Sequence, residues 1–206
     1  MNMLAGIMNK IPYVPLALLA GVLFAGLLGV PQTLGAGPVY SYTESYEQSF
    51  GGWVPDHSLL CEPGCGYLDW TISRSADRAF NGFYSLKGYL NGSHDDGTIW
   101  VERPFYLSQL PKKTYSVTLS FYLWSPTATT VNTWPVVAFL AQKDPETEAD
   151  FTVIGQTNQA LGWKQYNYSA NIVLDPAQPL WVAYGFGATW EVSRTYYLDH
   201  VTLNVY

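Results

Sequence analysis

The sequence predicts an all-β domain, a sandwich or jelly roll of about eight to ten antiparallel strands, preceded by one N-terminal hydrophobic helix. Three observations carry that expectation. From Ser41 onward no stretch keeps a helical period, while short alternating or apolar runs recur between Gly, Pro, Asn and Asp turns. Apolar residues make up 48% of the 206 and aromatic residues 16%, enough to bury the core of one moderate-sized domain. Charged residues reach only 13%, roughly half the usual share, which excludes a disordered chain or a coiled coil. The net charge of -6 argues against nucleic-acid or anionic-membrane binding, which need clustered Lys and Arg.

The first element is the hydrophobic one. Lys10 is the only charge before Glu44, and residues 11–30 form twenty uncharged, mostly apolar positions. As a helix, that length just spans a bilayer's hydrocarbon core. Pro12 and Pro15 sit at its start, where a helix tolerates them. Residues 1–37 therefore read as a cleaved signal peptide or a retained membrane anchor. In either case Lys10 keeps the N-terminus inside, and residues 38–206 form an exported β-sandwich domain, extracellular or at the cell surface. Export makes Cys61 and Cys65 most simply a small disulfide. It also makes Asn91-Gly92-Ser93 and Asn167-Tyr168-Ser169 sites of N-glycosylation pattern.

The strands follow in order at about 41–50, 67–73, 83–90, 98–106, 114–124, 134–142, 150–156, 163–172, 180–187 and 194–205. In the fifth, alternation places Val117, Leu119, Phe121 and Leu123 on a core face and Thr118, Ser120, Tyr122 and Trp124 on the other. In the last, the same rule puts Tyr197, Asp199, Val201, Leu203 and Val205 in one row. An acid in a core row is costly unless it is paired or meets a cation.

Three segments resemble the jelly-roll carbohydrate-binding modules of the galactose-binding-like superfamily. Ser45-Tyr46-Glu47-Gln48-Ser49-Phe50-Gly51-Gly52-Trp53 looks like their opening F-E-x-G-x-x-G-W strand. Ala79-Phe80-Asn81-Gly82-Phe83-Tyr84-Ser85-Leu86 is similar to A-x-x-G-x-Y-S-L, and Tyr196-Tyr197-Leu198-Asp199-His200-Val201-Thr202-Leu203 to the closing Y-x-L-D-x-V-x-L strand. The order is right and the three bracket nearly all of residues 41–206. The resemblance implies a structural calcium ion joining the first and last strands, held by Glu47, Asp77, Asn81 and Asp199. Tyr46 replaces Phe, and Gln48 stands where an acid is common.

Three classes of function fit. The first is non-catalytic binding of a polysaccharide or glycan, with Tyr122, Trp124, Trp134 and Trp190 as rings for sugar faces and Gln142, Gln165 and Asn167 as partners for hydroxyls. The second is a structural or adhesive surface protein that self-associates through the sandwich. The third, least favoured, is a glycoside hydrolase, which needs two carboxyl groups flanking one bond. Glu102 and Glu191 are the only acids placed for that chemistry, and no spaced carboxylate motif surrounds them.

Overall fold

The structure, a computed structural model, describes residues 37–59, 69–93, 95–190 and 192–206. The expected helix over 11–30 and the Cys61–Cys65 bridge lie outside these residues. Among the described residues no helix is long and apolar enough to cross a membrane.

Among the described residues eleven strands make two antiparallel sheets: β1 (Tyr40–Glu44), β2 (Val54–Ser58), β3 (Trp70–Ser75), β4 (Ser85–Leu90), β5 (Thr98–Phe105), β6 (Lys113–Ser125), β7 (Pro135–Ala141), β8 (Thr152–Gln156), β9 (Gly162–Leu174), β10 (Leu180–Gly187) and β11 (Arg194–Val205). One sheet has six strands in the order β3-β4-β11-β6-β9, with β1 also paired to β11, and the other has five, β2-β5-β10-β7-β8. Antiparallel sheets can cover one face and leave the other to solvent, and β6 shows why its residues do so. Val117, Leu119, Phe121 and Leu123 are buried while Thr118, Ser120, Tyr122 and Trp124 are half-exposed, as the alternation predicts.

All ten expected strands form. The eleventh, β2, is the one the sequence hides. Its residues Val54-Pro55-Asp56-His57-Ser58 carry turn chemistry and a proline, which belong on a sheet edge. β2 is an edge strand and pairs only with β5.

The closing strand departs from simple alternation. Its pairing with β6 shifts between Asp199 and Thr202, and His200 has φ 50°. This bulge inserts one residue, so Tyr196 and Leu198 face the core before it and Val201, Leu203 and Val205 after it. Tyr197 and Asp199 consequently point to the outer face instead of standing in the core row. Asp199 is nonetheless fully buried, because the segment between β3 and β4 lies over it.

The core between the sheets is aromatic. Trp53 and Phe121 meet Tyr184 at ring distances of 5.1 and 4.4 Å, and Trp134 lies near Phe186 and Tyr196. Tyr46, which replaces the family's Phe, sends its hydroxyl to that of Tyr184, so the added oxygen has a buried partner. A smaller cluster of Trp100, Phe139 and Ala183 sits on the outer face of the five-stranded sheet, covered by Phe151.

Candidate functional site

The outer face of the six-stranded sheet combines a polar half and an aromatic half. Cross-strand register aligns Thr118 with Ser169 and Asn204, Ser120 with Asn167 and Thr202, and Tyr122 with Gln165. β1 extends the rows, with Ser41 donating to Asn204 Oδ1 at 2.7 Å and Thr43 beside Thr202. Beyond Ser120 the rows turn aromatic. Trp124 pairs in register with Trp163 on one side and Tyr197 on the other, and the Trp124 and Tyr197 rings meet edge to face at 5.6 Å.

The β3–β4 segment is laid across this aromatic end. Phe80 stacks on Tyr122 with centroids 3.6 Å apart and planes 14° from parallel, and its edge meets Trp163 at 5.9 Å. Arg78 places its guanidinium 3.7 Å above the Trp124 ring. Tyr122 and Trp124 are thus each partly covered, and Phe80, 42% exposed, presents an aromatic face to solvent in place of Tyr122, with Phe83 79% exposed farther along. Tyr122 and Trp124 stand on this outer face, and the structure gathers around them Phe80, Trp163 and Arg78, which the sequence did not single out. Trp163 was findable, because it opens the strand that carries Gln165 and Asn167.

The segment is pinned by the acids expected to hold calcium. Asp199 Oδ2 accepts the backbone N–H groups of Phe80 and Asn81 at 2.7 and 3.0 Å, and its Oδ1 accepts that of His200 at 2.6 Å. Glu47 accepts those of Phe83 and Tyr84 at 3.0 Å. Gly82, at φ 80°, lets the turn press on Glu47, since a Cβ there would fall 2.4 Å from the carboxyl carbon. Burial raises the Asp199 pKa above the ordinary carboxylate range, against the three N–H groups and His200, which pull it down. Asn81 turns its side chain to Ser45 and His200, and Asp77 is engaged apart from the others by Lys87 at 2.7 Å and the Tyr197 hydroxyl.

Calcium takes six to eight oxygens. Here N–H donors face both carboxylates, and among the described residues no three His, Cys, Asp or Glu side chains converge where an ion could be held. The carbonyls of Tyr46 and Glu47, which would be natural oxygen ligands, accept from the Arg74 guanidinium. The donor set does not fit the ion the resemblance implies. It fits a clasp of carboxylates on amides, joining the opening and closing strands to one loop.

Two other expected ligand contacts are placed elsewhere. Trp134 is fully buried in the core and offers no face to a ligand, since its strand position is inward. Gln142 bonds the backbone of Asp175 and Gln178 and so closes a turn. Trp190 is 48% exposed in the connection from β10 to β11, whose Ser193 and Arg194 line a hollow of about 310 Å³ with Arg78, Trp124 and Tyr197. A second hollow, of about 650 Å³, is lined by Thr129, Thr130, Thr133, Gln156, Asn158 and Gln159. One hydrogen bond links the two linings, Asn158 Nδ2 donating to the Tyr196 hydroxyl at 3.2 Å. Hydroxyls, amides and rings of this kind suit a neutral, hydroxyl-rich ligand with apolar faces.

The opposite face is acidic. Glu102 on β5 accepts from Trp100 Nε1 at 2.7 Å and is 8% exposed. Burial, then the charges of Asp144, Asp56 and Glu146, push its pKa up to about 7 against the Trp100 hydrogen bond.

The fold defined by these sheets is that of the jelly-roll carbohydrate-binding modules. One solved neighbour is a structure described in terms of the promiscuous specificity of carbohydrate-binding modules of the β-sandwich superfamily, with TM-score 0.50 and 15% identity over 79% of this chain and 60% of that one. Another is the tandem N-terminal CBM22-1-CBM22-2 domain of Xyn10C from Paenibacillus barcinonensis, with TM-score 0.50 and 14% identity over 83% of this chain and 47% of that one. The chain thus spans less than two thirds of either neighbour. No protein-family model matches the sequence, and no curated protein is significantly similar to it.

Proposed function

We infer that this chain is an exported, non-catalytic carbohydrate-binding domain that holds a glycan against the outer face of its six-stranded sheet. The observation that carries the reading is continuity. Phe80, Tyr122, Trp163, Trp124 and Tyr197 form one connected aromatic surface, and it runs directly into the hydroxyl and amide rows of β1, β6, β9 and β11. Sugar rings have apolar C–H faces for the former and hydroxyls for the latter. Partly exposed aromatic surface of this extent is uncommon on a monomer without a partner. The fold shared with carbohydrate-binding modules supports the same reading.

The test is a glycan array and affinity electrophoresis on the full chain. Wild-type protein should be retarded by at least one polysaccharide, and Phe80→Ala/Trp163→Ala should weaken that binding tenfold or more. Retention unchanged by the double substitution would remove this face from consideration. A non-catalytic role requires that the retaining polysaccharide releases no new reducing ends. Cell fractionation with an N-terminal and a C-terminal tag decides between a retained anchor and a cleaved leader.

A second reading has its own observation. β9 is a 13-residue strand at the edge of the six-stranded sheet, longer than most edges left unpaired. It would serve an adhesive protein that pairs edge to edge. Sedimentation at rising concentration should then show dimers that a Pro at Asn171 prevents, and a monomer throughout would dismiss it.

A further inference from the structure

The hollow beside Trp124 carries a charge that neutral-glycan binding does not use. Among the described residues its charged lining is Arg78 and Arg194, in a chain whose acids outnumber its bases 16 to 10. Among the described residues neither guanidinium pairs with a carboxylate. Arg78 spends its charge on the Trp124 ring face, and no hydrogen bond from its guanidinium is made within the described residues. Arg194 is half-buried, gives one N–H to the Asn132 carbonyl, lies 5.7 Å from the Trp134 ring, and has a buried Nε with no hydrogen-bond partner among the described residues. Asp77, the acid next to Arg78 in the chain, is already committed to Lys87 and Tyr197.

A buried donor without an acceptor is costly, and more so on a charged group. Guanidinium stays charged and its planar fork matches a carboxylate. The remaining lining supplies a ring wall, Trp124 against Tyr197, and hydroxyls from Ser193 and Thr195.

Resting on the glycan-binding reading, we propose that this hollow takes an acidic sugar unit: a uronate within a polysaccharide, its ring against Trp124 and Tyr197 and its carboxylate between Arg78 and Arg194. The net charge of the protein opposes polyanions in general, so this selectivity is local to the two arginines and outlasts moderate salt, where the screening length is about 8 Å.

The experiment compares the full chain on polygalacturonate, on the same polymer with its carboxyls reduced to alcohols, and on dextran sulfate, all at 150 mM NaCl. Wild-type protein should bind the acidic polymer at least tenfold more tightly than its reduced form and should gain nothing comparable from sulfate. Arg78→Gln and Arg194→Gln should each remove most of that preference, read as the ratio of affinities for the acidic and the reduced polymer measured on the same variant. Arg78→Lys, which keeps the charge and loses the fork, should recover only part of it. A melting curve for each variant separates lost binding from lost folding. Equal affinity for the acidic and reduced polymers, or a preference untouched by both substitutions, overturns the acidic-sugar assignment and leaves glycan binding standing. Binding to dextran sulfate as tight as to polygalacturonate overturns it in favour of unspecific charge attraction. Failure to bind any polysaccharide on the array overturns both readings together.

Discussion

At the scale of single residues, the carboxylates divide by what surrounds them. Asp199 is buried and accepts three N–H groups, so Asp199→Ala strands three donors. At about 1 kcal/mol per hydrogen bond this costs about 3 kcal/mol, read as a lowered midpoint in urea unfolding. Asp77, in a solvent-screened pair with Lys87, should leave the urea midpoint close to wild type when changed to Ala. Glu102 behaves oppositely to most acids. Its folded pKa of about 7 lies above the ordinary 4.5, so across that interval the folded protein keeps a proton the unfolded chain has released. Stability therefore falls as pH rises from 4.5 towards 7 and levels off above. Glu102→Gln should remove that part of the decline, seen as a flatter plot of melting temperature between pH 4.5 and 8. A parallel curve for the variant would show that Glu102 is solvated.

Among the elements, the bulge in β11 and the β3–β4 segment depend on each other. His200 holds φ 50°, a left-handed position that glycine tolerates and β-branched residues resist. His200→Gly should thus stay within about 1 kcal/mol of wild type in urea unfolding, whereas His200→Val should lose about 2 kcal/mol more. Only because the bulge turns Asp199 outward can it receive the amides of Phe80 and Asn81. Only because that segment is fastened do Phe80 and Arg78 reach Tyr122 and Trp124. β6 was legible in the sequence because burial on one face imposes a period of two, and β10 because a short apolar run buried almost throughout marks a central strand. β2 was not, since an edge strand buries little and Pro55 costs it nothing there. Period alone also placed Asp199 in the core row, because one inserted residue reverses every face that follows and leaves no mark on composition.

On the scale of the whole molecule, the two outer faces are chemically distinct. The six-stranded sheet carries rings, hydroxyls and the guanidiniums of Arg78 and Arg194, and the five-stranded sheet carries Asp56 and Glu102 beneath the acids of residues 144–150. The carboxylates of Glu47 and Asp199 fasten the first of these faces through backbone amides. Thermal unfolding in excess chelator should therefore match unfolding in calcium. A melting temperature several degrees lower in chelator would show that an ion holds the two strands together.

What the sequence by itself determined is the all-β class of the chain and which side of β6 faces the core, since alternation of apolar and polar side chains is a local property that a strand's pleat converts directly into faces. What only the tertiary structure decided is which rings reach solvent and what the carboxylates hold. Phe80 lies 42 residues from Tyr122, and Glu47 lies 152 residues from Asp199. Contacts over such separations arise when two sheets close around one core, and no local pattern of residues encodes them.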